Sequence, residues 1–178
     1  HMIMKNIKEK IGEYFFLNTT AKLRVRQIEK KLNLPLPSVI RYCRELEKEG
    51  ILTTIKIGNI VFYTADRASS KFLLEKKLFN IKRVYDSGLV DYFRTEFHNL
   101  PVIVFGSYSK GEDVEDSDID LYIETASNKN PNLSKFEKYL ERKIHIFVHK
   151  SIREVSNPGL ANNIINGIVL NGFVEVFK

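Results

Sequence analysis

One cysteine among 178 residues leaves no internal disulfide to form. That excludes the disulfide-stapled secreted scaffolds and suits a reducing compartment. No apolar stretch approaches the roughly 18 uninterrupted residues that a membrane-spanning helix needs. The first residues show no basic segment leading into an apolar core and a cleavage site. The expected setting is therefore cytoplasmic, with no membrane partner. His1 before Met2 reads as a cloning remnant and is given no function. Internal repeats and low-complexity tracts are also missing, so the chain is not a repeat array. The single Cys43 falls in a stretch of helical periodicity, where a buried structural role suits it better than catalysis.

What is present is enough apolar material, 43% of residues, for one sizeable core or two modest ones. Charge is unevenly spread. Residues 1–98 hold 19 Lys/Arg against 11 Asp/Glu, whereas residues 99–178 hold 9 against 11. A basic front half favours a polyanionic partner, although lysines scattered on solvated helix faces give the same count.

Ile3, Ile7, Ile11, Tyr14, Phe15 and Leu17 recur at spacings of three and four, which predicts an amphipathic helix closed by Asn18-Thr19-Thr20. A second helix is expected from Val25 to Leu32, then a turn at Asn33–Leu36. A third follows with Pro37 at its first position and Gly50 after its end. On this third helix Ile40, Cys43 and Leu46 share one side; Ser38, Arg41, Glu45 and Lys48 share the other, with Arg44 beside them. Ile51–Ile57 and Ile60–Thr64 flank Gly58-Asn59 and predict a hairpin with a tight turn. Residues 68–97 read as helical, broken by Ser87-Gly88.

This N-terminal order resembles the winged helix-turn-helix family over VRQIEKKLNLPLPSVIRYCRELEKEGILTTIKIGNIVFYTAD. The resemblance implies a third helix in the DNA major groove and a hairpin wing on flanking backbone. It nominates Ser38, Arg41 and Arg44 for the groove, and Lys56 with Asn59 for the wing. A module of this kind that serves only for dimerisation stays open, since Glu45, Glu47 and Glu49 on the third helix would repel phosphate.

From Val102 the pattern changes to a buried strand, Val102–Phe105, followed by Gly106-Ser107 and a polar segment from Tyr108 to Glu115. Ser117-Asp118-Ile119-Asp120-Leu121-Tyr122-Ile123-Glu124 comes next. A strand's period of two puts Asp118 and Asp120 on one face and Ile119, Leu121 and Ile123 on the other. Two adjacent carboxylates repel, and a divalent cation removes the conflict. Mg²⁺ takes hard oxygen ligands and is commonly shared between a few carboxylates and substrate phosphates. Glycine after a strand allows a close backbone approach, and the serine adds a hydroxyl.

The segment GSYSKGEDVEDSDIDLYIE, residues 106–124, resembles the signature of nucleotidyltransferases of the DNA polymerase beta superfamily: Gly-Ser, ten residues, then Asp-x-Asp. The resemblance implies Mg²⁺ or Mn²⁺ on Asp118 and Asp120, and a nucleoside triphosphate, ATP foremost, held at Gly106, Ser107 and Ser117. A nucleoside monophosphate would pass to a protein or nucleic-acid hydroxyl as pyrophosphate leaves. Active relatives carry a third carboxylate on a later strand. Here that strand is Lys143–His149, and His145 stands at the expected place, as metal ligand, base or mere occupant; Glu124 and His149 are two further candidates. Minimal relatives that adenylylate a HEPN-type ribonuclease toxin suggest such a protein acceptor.

The expected architecture is α+β: a winged helix-turn-helix over 1–67, a helical connector over 68–98, and a small mixed-sheet nucleotidyltransferase domain over 99–178. The connector would pack on both modules, and on a second subunit in a homodimer. The C-terminal stretch reads as a loop, a helix carrying Leu160 to Leu170, Gly172 and a short strand Phe173–Phe177. The alternative to an enzyme is a nucleotide-responsive DNA-binding regulator whose catalytic site is degenerate.

Overall fold

The computed structural model describes residues 6–127 and 130–177. His1 and residues 3–5 of the first expected helix lie outside that range. The chain forms two compact units, His1–Phe79 and Asn80–Lys178, and is α+β, with two small sheets.

The first unit opens with α1 (Ile7–Leu17), started by Asn6 and Glu9 in a reciprocal cap: the Glu9 amide donates to Asn6 Oδ1 at 2.8 Å, and the Asn6 amide to Glu9 Oε2 at 3.1 Å. Helix α2 (Val25–Leu32) ends where Asn33 turns left-handed at φ +50°. Helix α3 (Leu36–Lys48) starts one residue earlier than expected, so Pro37 is its second residue. Either place costs nothing, because neither amide has a helical acceptor. Val39, not Ile40, joins Cys43 and Leu46 in the core. Positions 39, 43 and 46 follow the helical repeat of four and three, which leaves Ile40 at the margin.

Strands β1 (Leu52–Ile57) and β2 (Ile60–Ala65) pair antiparallel around the expected two-residue turn, with Gly58 at φ +60° and Ile57 opposite Ile60. Ile11, Phe15, Ile28, Val39, Leu52 and Phe72 are among the buried side chains that join helices and hairpin in one core. Lys76 is buried with them; its ammonium donates to the carbonyl of Phe16 at 2.9 Å.

The boundary between the units falls within α4 (Ser70–Asp86). Gly88, at φ +78°, separates it from α5 (Leu89–Glu96), as the Ser87-Gly88 break led one to expect. The second unit is built on a sheet ordered β5-β4-β3-β6. Central β3 (Val102–Phe105) runs antiparallel to β4 (Ile119–Glu124) and β6 (Ile168–Asn171), and β4 runs parallel to β5 (Ile144–His149). Between β3 and β4 lies α6 (Gly106–Lys110); α7 (Ser134–Leu140) makes the crossover from β4 to β5.

A short 3-10 turn (Ile152–Glu154) and α8 (Pro158–Ile165) precede β6. One apolar cluster gathers Val84, Val90, Phe93, Val104, Leu121 and Phe136; a second gathers Ile103, Phe105, Tyr122, Ile152 and Ile164. Residues 103 and 105 of β3 thus feed one cluster and residue 104 the other, so the sheet is covered on both faces.

The C-terminal expectation needs correction. The helix stops at Ile165, Ile168–Asn171 form an edge strand, and Phe173–Phe177 form none. Gly167 lies so close to β3 that a Cβ there would come 2.6 Å from the carbonyl oxygen of Val104. The chain has already turned into strand pairing before Ile168. A run such as Ile-Val-Leu has no period that separates buried strand from helix. The polar segment expected after Gly106-Ser107 is likewise a short helix, with Tyr108 and Ser109 buried.

Candidate active site

The site forms where β3 gives way to α6. Phe105, the last residue of β3, is the register partner of Asp120 in β4. Gly106 then takes φ +73°, and a Cβ built on it would stand 2.7 Å from Asp120 Oδ2. Glycine is required there both by backbone conformation and by the carboxylate against it. The Ser109 hydroxyl donates to the carbonyl of Gly106 at 2.8 Å and fixes the turn. Ser107, half-buried, lies in the first turn of α6, where backbone amides lack helical acceptors.

Asp118 is exposed and stands just before β4, one residue outside the strand expected to carry it. Asp120 is half-buried between fully buried Ile119 and Leu121. The parallel pairing of β4 and β5 sets His145 directly beside Asp120, with Nδ1 3.6 Å from Oδ1. The imidazole packs on Phe147 at 4.3 Å between ring centroids. Burial pushes the Asp120 carboxyl above its ordinary range; His145 pulls it back by charge and hydrogen bonding, and the negative charge of Asp118 raises it again. A carboxylate held at that cost is a ready partner for a cation.

Gly106, Asp118, Asp120 and His145, singled out in the sequence, thus meet at one end of the sheet. Ser117 is committed to the loop: its hydroxyl oxygen accepts from the Val114 amide at 2.9 Å, and its own amide donates to the Val114 carbonyl at 3.0 Å. Glu124 and His149 are register partners four residues further along, ~13 Å at the rise of a strand. Glu124 Oε1 accepts from the Tyr122 hydroxyl at 3.0 Å and from the Ile152 amide at 2.5 Å, so it anchors the 3-10 turn. Among the described residues no three His, Cys, Asp or Glu side chains group closely enough to hold a metal ion by themselves. A divalent ion could be held by Asp118 and Asp120 with substrate phosphate and water completing its shell, the usual arrangement for Mg²⁺.

Asp113 gave no signal in the sequence. It is buried in the loop that joins α6 to Asp118; its Oδ1 accepts from Asn80 Nδ2 at 2.7 Å, and its Oδ2 lies 4.0 Å from the buried guanidinium of Arg142. Asn80 Nδ2 also donates to the carbonyl of Tyr108 at 2.9 Å. Arg142 stands two residues before the start of β5. One buried carboxylate therefore ties α4, the loop before Asp118 and the approach to His145 together. A cleft of about 600 Å³ adjoins this region, lined in part by Ser117, Asp118, Glu137, Lys138 and Arg142.

In the first unit Ser38, Arg41 and Arg44 lie on α3, and Lys56 and Asn59 are exposed at the hairpin end. A second cleft, of about 580 Å³, has Arg24, Arg26, Lys30 and Arg44 among its lining residues. The first three were not singled out in the sequence, because basic residues in a basic module look like ordinary solvated charge.

The family described as Nucleotidyltransferase domain matches residues 87–170, a span that holds α5, β3, β4, β5, all of β6 but Asn171, and the four residues that meet at the sheet's end. The putative protein adenylyltransferase MJ1379 of Methanocaldococcus jannaschii is 33% identical over 75 residues, 38% of this chain and 72% of that protein. The protein adenylyltransferase MntA of Thermococcus cleftensis is 33% identical over 79 residues, 43% of this chain and 78% of that protein. No solved structure matches. The chain belongs to the nucleotidyltransferase family, and its relatives within it include proteins named as protein adenylyltransferases.

Proposed function

We propose that the second unit transfers a nucleoside monophosphate from a triphosphate, ATP by preference, to a hydroxyl on a protein, with a HEPN-type toxin as a candidate acceptor. The observation that carries this reading is the contact of Gly106 with Asp120, which sets a side-chain-free stretch of backbone against a carboxylate of raised proton affinity. Phosphate oxygens can approach the backbone there because no side chain blocks them. Gly106 and Ser107 would seat the terminal phosphates, and Asp118 with Asp120 would hold Mg²⁺ or Mn²⁺. When bound, the ion supplies charge neutralisation for the phosphates and the leaving pyrophosphate. Ser117 keeps the loop before Asp118 closed. The imidazole of His145 can take the proton of the attacking hydroxyl or complete the cation's shell. The two relatives named as protein adenylyltransferases favour a protein acceptor over a nucleic acid.

The test is incubation with ATP labelled at the α-phosphate, Mn²⁺ and candidate acceptors. Label should pass to a protein acceptor and should be lost in Asp118→Ala and in Asp120→Ala. A label that persists in both variants removes these residues from the reaction. A second reading, a nucleotide-responsive regulator without transfer, is favoured by one observation: imidazole rather than carboxylate stands beside Asp120. It requires nucleotide binding without label transfer to any acceptor.

The first unit we read as a winged helix that binds DNA. Its three helices, its hairpin and its cation-lined cleft support that reading. Ser38, Arg41, Arg44, Lys56 and Asn59 remain the sequence-derived contacts.

A further inference from the structure

Acidic side chains on α3 and at its C-cap, Glu49, argue against nucleic-acid binding by that helix, and the structure accounts for each of them. Glu45 and Glu49 meet Lys8 of α1, whose ammonium lies 3.6 Å from the first carboxylate and 2.6 Å from the second. Glu47 accepts from the Thr54 hydroxyl at 2.9 Å. The cations divide in a similar way. Arg41 donates to the Tyr42 hydroxyl at 2.6 Å, lies over that ring at 4.4 Å, and has its Nε 3.9 Å from Glu45. Arg44 borders a groove with Arg41, Glu45 and Lys48, and also lines the cleft between α2, α3 and β2, together with Arg24, Arg26 and Lys30. Among the described residues no carboxylate lines that cleft, and Ile40, Val61 and Tyr63 supply apolar wall.

We propose that this cleft seats the phosphodiester backbone of duplex DNA, and that Arg24, Arg26, Lys30 and Arg44, rather than Arg41, supply most of the affinity. Four like charges around one cleft repel one another, and a polyanion reverses that repulsion. Each phosphate neutralised also releases condensed counterions, which makes such binding steeply dependent on salt. Contacts to the backbone carry no base information, so affinity should vary little between unrelated sequences. The proposal rests on the nucleic-acid reading of the first unit but can fail separately from it.

The experiment is titration of a short fluorescent DNA duplex with the full chain over a range of salt, using two unrelated sequences. Arg24→Ala, Arg26→Ala and Lys30→Ala combined should weaken binding ~100-fold at low salt and flatten the salt slope by about 2–3. Arg41→Ala should weaken it less than ~3-fold. Arg24→Lys combined with Arg26→Lys should retain the slope, which a folding defect would not. Unchanged binding in the triple variant overturns the assignment while leaving the nucleic-acid reading in place, as does a loss with Arg41→Ala as large as that of the triple variant. If the native chain binds no duplex, both fall. If duplex RNA or free ATP displaces the DNA and binds more tightly, the cleft serves that phosphate source and the DNA assignment is overturned.

Discussion

Burial of the Asp120 carboxyl works against the charged form in the folded protein. Its carboxyl is raised above the ordinary 3.8 by burial first, with Asp118 adding to the effect and His145 opposing it. In the metal-free protein the folded state therefore holds the proton more tightly than the unfolded state does. The stability linked to Asp120 is full below the ordinary aspartate value and is lost as pH rises through the elevated one. Asp120→Asn removes that loss at neutral pH. In chelator-treated protein the variant should melt above the native chain at pH 7, and the gap should close as pH falls towards 3.8. Thermal melts at several pH values check this; a variant that melts lower at neutral pH would show that Asp120 is stabilised by its surroundings.

At this scale much of the site was legible in the sequence. Asp118, Asp120, Gly106 and Ser107 declare themselves through alternation and spacing, which are local properties. That His145 stands beside Asp120 depended on the register of a parallel pair formed across α7, and the family pattern supplied it where local periodicity could not. Glu124 and His149 share strand faces with the key residues, yet register places them at the far end. A face assignment alone does not measure distance along a strand.

Among the elements, the loop from Gly111 to Ser117 decides whether the two aspartates sit correctly against α6. Asp113 fixes that loop from below, through Asn80 and Arg142. Asp113→Ala would remove a buried carboxylate from beside the Arg142 guanidinium and take one of its acceptors from the Asn80 amide, a loss on the order of 3 kcal/mol. Asp113→Asn should cost less, since its side-chain oxygen can still accept from Asn80. Urea denaturation of the two variants gives the comparison; equal losses would mean that charge, not the hydrogen bond, carries the effect.

This network was invisible in the sequence because its members are 62 residues apart, from Asn80 to Arg142, and an acid in a polar loop looks solvated. The other elements that escaped reading failed for related reasons. Helix α7 has only Phe136 and Leu140 as buried anchors, too few for a period to emerge. Strand β6 exists because β3 offers an edge, a tertiary fact that overrides an ambiguous apolar run. The hairpin, by contrast, is specified by its two-residue turn and needs no distant partner.

Over the whole molecule, the charge asymmetry seen in the sequence matches the division of labour proposed for the two units. The first carries a cleft lined by Arg24, Arg26, Lys30 and Arg44 with no carboxylate among the described residues, and the second sets Asp120 beside His145. No helix among the described residues is long and apolar enough to cross a membrane. Transfer and DNA binding are each testable on the full chain, but both enzymatic and sensory accounts need the second unit to bind a nucleotide through its aspartates. Calorimetric titration of the full chain with ATP in the presence of Mn²⁺ tests that most directly. The native chain should show one saturable site that disappears when Asp118 and Asp120 are both alanine and when Gly106 is alanine. Unchanged heats in either variant, or no uptake of nucleotide by the native chain, would contradict the assignment of this site.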